Sequence, residues 1–194
     1  MRFSKIFQIW KILETARAEK FFKKHLTNQA KYDIIIMFQE RTEREVNNML
    51  VEKKICFDMD GTIANLYAVE NWLSMLRAYD PTPYRQAEPM LNMAVFARLL
   101  HKAQRLGYKN VIISWLSKEP NAEYDELVTQ AKIEWLRSHL PSVWWDEIHI
   151  VPHGTPKHEL SSGWLFDDEE QNRENWGVGG LEPSEILEFL RGLR

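Results

Sequence analysis

"ICFDMDGTIANL", residues 55–66, brings an apolar run to a stop at Asp58, places a second carboxylate two positions on at Asp60, and follows it with Gly61 and Thr62. Like charges this close repel each other. A surface turn would tolerate the pair. A site that holds a divalent cation and attacks a phosphate would need it. The run before Asp58 is short, apolar and strand-like, so the acids stand at the carboxyl end of a strand.

Working outward, "KNVIIS", "EIHIV", "GWLFDD" and "WGVGG" read as four further strands. Helical patterns lie between them. Residues 67–79 carry Trp72, Leu73, Met75 and Leu76, and residues 90–106 form an amphipathic helix stopped by Gly107. Residues 122–139 form a long helix ended by Pro141, and residues 184–192 a last one with Ser184 as N-cap after Pro183. "DPTPYRQAEP", residues 80–89, reads as irregular. Upstream, Phe3, Ile6, Phe7, Trp10 and Leu13 recur at helical spacing over 3–26, and a second helix is expected over about 30–50, where "YDIIIMF" also reads as a strand. Continuous apolar strands alternating with helices signal a parallel sheet covered on both faces. The expected fold is α/β, a Rossmann-like three-layer sandwich around a parallel sheet of about five strands. A basic helical extension is expected at 1–52. The main domain would then run over 53–194.

The 194 residues, 44% apolar and 27% charged, suit one domain with an extension. No stretch approaches the roughly 20 apolar residues of a membrane span. The first residues lack the pattern of a signal peptide, and Cys56 is the lone cysteine, so a reducing, cytoplasmic setting is expected. Cys56 lies within the apolar run and reads as a small buried hydrophobe. Charge divides unevenly: residues 1–54 hold 12 Lys and Arg against 7 Asp and Glu, residues 55–194 hold 13 against 21. A basic arm precedes an acidic body.

In open parallel sheets, ligands bind at the carboxyl ends of the strands. Asp58, Ser114 and the pair Asp167 and Asp168 end three of the strands, and Lys157 lies in the loop before the last pair. Phosphoryl transfer through an aspartyl phosphate suits this set. A carboxylate attacks phosphorus once charge is neutralised. Mg²⁺ prefers oxygen ligands, and a lysine and a hydroxyl hold the phosphoryl oxygens. A second acid beside the nucleophile serves the leaving group and then the water. Lys118 competes with Lys157 for the lysine's role. His149, His153 and His158 lack both regular spacing and a cysteine partner, which argues against zinc.

On these residues the chain resembles the haloacid dehalogenase-like (HAD) superfamily over about 53–194. "DMDGT" at 58–62 matches its first motif, "VIIS" at 111–114 the second, Lys157 in "HGTPKHEL" the third and "LFDDEE" at 165–170 the fourth. The resemblance implies Asp58 as nucleophile and metal ligand. Asp60 becomes the acid/base, binding metal through its backbone carbonyl. Ser114 and Lys157 hold the phosphoryl group, with Gly61 and Thr62 as further phosphate-binding candidates, and Asp167 and Asp168 complete the Mg²⁺ site. An acid at 60 argues for phosphatase or phosphotransferase chemistry over dehalogenation. The resemblance also implies a small helical cap insert at about 66–92, the segment where the superfamily places its substrate-selecting cap. Within the superfamily, "DMDGTIANL" is similar to bacterial and phage 5′-nucleotidase-like members.

The expected function is a Mg²⁺-dependent phosphomonoesterase for a small phosphorylated metabolite, with a nucleoside monophosphate as one candidate. Tyr67, Trp72, Arg77, Tyr84, Arg85 and Trp115 are the candidates for selecting it, by stacking or by meeting a second anion. The alternatives are a nucleic-acid 3′-end phosphatase anchored by the basic arm, and a non-catalytic assembly protein on the same scaffold.

Overall fold

The computed structural model describes residues 53–119 and 121–194. The helices expected at 3–26 and about 30–50, and with them the N-terminal extension, lie outside the described residues. The apolar run at the first motif forms β1 (Lys54–Phe57). It pairs in parallel with β4 (Lys109–Trp115) on one side and β6 (Trp164–Phe166) on the other, Cys56 facing Val111 and Leu165. β5 (Glu147–Val151) adds beyond β4, and β7 (Gly180–Leu181) adds beyond β6. The order is β5-β4-β1-β6-β7, all parallel. The strand that carries the paired acids is therefore central and buried on both faces, which is why its sequence does not alternate.

Among the described residues, six helices accompany the sheet: α1 (Trp72–Arg77), α2 (Thr82–Gln86), α3 (Met93–Arg105), α4 (Ala122–His139), α5 (Glu170–Trp176) and α6 (Ile186–Gly192). One face of the sheet, with Ile55, Phe57, Ile112 and Phe166, packs against Phe96, Leu99 and Leu100 of α3 and Ile186 and Leu190 of α6. Phe57 stacks on Phe166 at 5.5 Å and meets Phe96 edge-on at 5.2 Å. On the other face, Cys56, Val111, Ile113 and Leu165 cluster with Leu160 and Trp176. This is the expected three-layer arrangement. Among the described residues, no helix is long and apolar enough to cross a membrane.

Several boundaries differ from expectation, each for a local reason. The expected fifth strand shifts forward. Gly177–Gly179 tighten into a 3-10 turn, and the strand is Gly180–Leu181. A Cβ on Gly180 would lie 2.3 Å from the Arg173 carbonyl oxygen, so the strand starts at the one residue that fits there. The stretch at 80–89 is not irregular throughout: it holds α2, with Pro83 in a first turn that needs no partner for its nitrogen. It also holds β3 (Glu88–Pro89), antiparallel to β2 (Ala64–Asn65). The helix expected over 67–79 is a 3-10 turn at Leu66–Ala68 followed by the short α1. Ser184 is not the last helix's cap. Glu182 and Glu185 form a reciprocal capping box around the turn Pro183–Glu185 that leads into α6.

β2 and β3 form the neck of the insert, and α4 carries its body. Tyr84 and Leu66 pack with Tyr124, Val128 and Ala131 of α4. Trp135 Nε1 donates to the Ala87 carbonyl at 2.6 Å. The insert is thereby held above the carboxyl ends of β1 and β4.

Candidate active site

Asp58 continues β1 by one residue, its amide donating to the Phe166 carbonyl at 2.9 Å. The chain then turns sharply. The amides of Thr62, Ile63 and Ala64 all donate to the Met59 carbonyl, at 3.2, 2.9 and 2.8 Å. That turn returns Asp60 to the same sheet edge as Asp58. It passes through Gly61 at φ +75°, where a Cβ would sit 2.3 Å from Asp168 Oδ2 and 2.7 Å from the Tyr67 ring. No other residue fits both the angle and the space. Thr62 Oγ1 accepts from the Asp168 amide at 3.1 Å and ties the first motif to the fourth. Gly61 and Thr62 thus shape the site; neither lines the cavity above it.

The fourth motif is braced from α5. Asn172 Nδ2 donates to Asp167 Oδ1 at 3.1 Å, and Arg173 Nη1 donates to the carbonyls of Asp167 and Asp168 at 2.8 and 2.7 Å. Lys157, in a 3-10 turn before β6, sends Nζ between the two outer motifs: 2.8 Å to Asp58 Oδ1 and 2.6 Å to Asp167 Oδ2. Burial works against this ammonium, but the two carboxylates outweigh it and hold its pKa above the ordinary lysine value.

A second lysine, absent from the sequence reading, completes the arrangement. Lys132 on α4 is 1% exposed, and its Nζ donates to Asp60 Oδ2 at 2.6 Å, Ser114 Oγ at 2.8 Å and the Trp115 carbonyl at 2.7 Å. The signal was present. Val128, Lys132, Trp135 and Leu136 share one helical face, and a lysine on an otherwise apolar stripe needs a buried partner. Ser114 is fully buried under this contact and does not line the cavity.

Asp58, Asp167 and Asp168 can bring one carboxylate oxygen each to within 4.8 Å of one another. An all-oxygen donor set of this size fits a hard divalent cation such as Mg²⁺. The Asp60 carboxylate is engaged by Lys132 instead. Four carboxylates face two buried lysines, leaving an excess of two negative charges that one divalent cation would balance. The carboxyl groups register this excess. Burial and the charges of Asp58 and Asp167 push Asp168 up to about 7. Burial also raises Asp60, against the pull of Lys132, and raises Asp167, helped by Asp58 and opposed by Lys157.

A cavity of about 490 Å³ opens above these groups and is lined by Asp58, Asp60, Lys157 and Asp168 at its floor. Of the expected selecting residues, Tyr67, Trp72, Arg77, Tyr84 and Trp115 line it. Arg85 does not: it turns outward to Glu134 on α4, at 2.8 Å. Tyr67 and Trp72 meet edge-on at 5.1 Å. Trp115 is held by its Nε1 donating to the Thr155 carbonyl at 2.9 Å, with the His153 ring 4.8 Å away. Ser117 and Lys118 also reach the cavity, so Lys118 adds to Lys157 rather than replacing it. His149 pairs with Glu147 at 3.1 Å, apart from the acidic group.

Fold and site together define an open, parallel α/β sheet with the four motif positions brought to one sheet edge. No family model matches the chain, and no curated protein matches it. Among solved structures, the D,D-heptose 1,7-bisphosphate phosphatase of Burkholderia thailandensis is similar at 11% identity and a TM-score of 0.41, over 66% of this chain and 74% of that one. A structural-genomics target from Vibrio cholerae is similar at 22% identity and a TM-score of 0.37, over 72% of this chain and 97% of that one. The chemistry assigned to the site rests on its own residues.

Proposed function

We propose that the chain is a phosphomonoesterase that works through a phosphorylated Asp58. The observation that carries this reading is the placement of Lys157 between Asp58 and Asp167 on the floor of the cavity, with Asp60 beside them. A divalent cation such as Mg²⁺, held by Asp58, Asp167 and Asp168, would supply the charge neutralisation that lets a phosphate dianion approach these acids.

The chain's own residues do the rest. Lys157 and Lys118 bind the phosphoryl oxygens. An Asp58 carboxylate oxygen attacks phosphorus as the bond to the leaving oxygen breaks. That oxygen takes the proton carried by Asp60 and departs as an alcohol. Water then attacks phosphorus and gives its proton to the Asp60 carboxylate. The bond between phosphorus and the Asp58 oxygen breaks, which frees phosphate and restores both acids. The cavity volume lies within the range of small-molecule sites. Tyr67, Trp72, Tyr84 and Trp115 offer flat apolar surface to the ester's organic part, which makes nucleoside monophosphates the first class to screen.

Turnover of p-nitrophenyl phosphate and of a panel of phosphate monoesters, with Mg²⁺, tests the reading. The wild type should release phosphate, and Asp58→Asn should lose on the order of 10³-fold or more of that rate. A wild type as inert as Asp58→Asn across the panel ends it.

A further inference from the structure

The buried lysine of α4 has a geometry that the proposed reaction does not yet use. An ammonium carries three protons, and Lys132 spends them on three acceptors: Asp60 Oδ2 at 2.6 Å, Ser114 Oγ at 2.8 Å and the Trp115 carbonyl at 2.7 Å. The Tyr84 ring covers its open side, 5.0 Å from Nζ. These partners come from three places in the chain: the first motif, the end of β4 and the insert. A lysine with no donor to spare, 1% exposed, cannot bind substrate. It can act only through what it holds.

We propose that Lys132 is a positioning residue that fixes the Asp60 carboxylate beside Asp58, so that the Asp60 proton meets the leaving oxygen. The role of Asp60 rests on the phosphomonoesterase reading; the positioning itself does not. Asp60 lies in a turn, and a turn side chain has several rotamers of similar energy. Among the described residues, the side-chain partner that selects one of them is Lys132. The ammonium anchors Asp60 Oδ2 while Asp60 also lines the cavity, so its other oxygen stays free of Lys132 for the leaving group. The contact to Ser114 Oγ ties the same ammonium to the end of β4, so Asp60 is registered against the rigid sheet through one ion.

The leaving group separates positioning from mere stability. A p-nitrophenolate leaves with little help from an acid, whereas an alkoxide needs the proton. Kinetics of the full-length protein with Mg²⁺ should compare p-nitrophenyl phosphate with glycerol 2-phosphate. Lys132→Met keeps the apolar stem and removes the ammonium. It should lower kcat for the alkyl ester roughly 10²-fold and for the aryl ester less than about tenfold, with KM for both little changed. A loss equal on both esters, or none on either, overturns the proposal.

Should Lys132→Met not fold because it strands Asp60, the double variant Asp60→Asn, Lys132→Met removes both charges. It should match Asp60→Asn alone in kcat on both esters; a further loss in the double variant overturns the proposal. A crystal structure of either Lys132 variant gives a readout without activity: residue 60 should leave its wild-type rotamer, and an unmoved side chain counts against the proposal. An inert wild type would remove the phosphatase reading while leaving this structural result to decide the positioning role.

Discussion

Gly61 shows how much chemistry can rest on an absent side chain. At φ +75° it lets Asp60 return to the sheet edge and leaves room for Asp168 and Tyr67. Gly61→Ala should cost at least about 1–2 kcal/mol in backbone strain alone. The added methyl must also displace Asp168, so turnover should fall by roughly 10²-fold. Thermal melting and phosphate-release assays on the same preparation check both effects. Cys56 behaves oppositely. Burial pushes its thiol up to about 12, with Ser161 and Lys54 opposing weakly. It should therefore resist thiol reagents in the native protein and react on unfolding, as mass spectrometry would record. Lys157 is a third case. Removing it leaves Asp58 and Asp167 in contact with no ammonium between them, a loss of about 3–5 kcal/mol for a broken buried pair. Lys157→Met should melt lower than wild type without a cation, and Mg²⁺ should raise its melting temperature more than that of the wild type.

Among the elements, the insert divides into a part that holds and a part that touches. α1 buries no residue, though Trp72, Leu73 and Leu76 face the cavity. Trp72→Ala should leave stability within about 0.5–1 kcal/mol of wild type while raising KM for esters with a ring in the leaving group. Trp135→Phe touches no substrate but strands the Ala87 carbonyl at the neck of the insert, and should cost about 1–3 kcal/mol in chemical denaturation.

The same division explains what the sequence made legible. Apolar runs ending in Asp58, Ser114 and Asp167 named the central strands, because strands buried on both faces must be apolar throughout. The ends of elements were harder. Ser184 looked like a cap, but Glu182 and Glu185 satisfy each other first. The stretch at 80–89 looked irregular because prolines dominate it, although Pro83 in a first turn is compatible with a helix. Lys132 was overlooked because its partners, Asp60 and Ser114, lie 72 and 18 residues away. Arg85 was overvalued for a related reason: its charge is spent on Glu134.

The whole molecule is governed by its acidic site. Without a cation, native Asp168 keeps its proton up to about pH 7, while the unfolded chain releases it near the ordinary value of 3.8. The native state therefore binds more protons over that window, and stability must fall as pH rises through it and level off above it. Asp60 and Asp167, also raised, act in the same direction. Melting in a chelator should show the protein less stable at about pH 8 than at about pH 5. Saturating Mg²⁺ should reverse that order, because it binds the ionised carboxylates and shifts the melt by mass action.

A crystal structure with Mg²⁺ and beryllofluoride, a mimic of a phosphoryl group on a carboxylate, tests the central claim most directly. The account predicts beryllium bonded to an Asp58 oxygen, the cation among Asp58, Asp167 and Asp168, and Lys157 turned to the fluorines. Density for the mimic on another residue, or a cation bound away from these three acids, would contradict it.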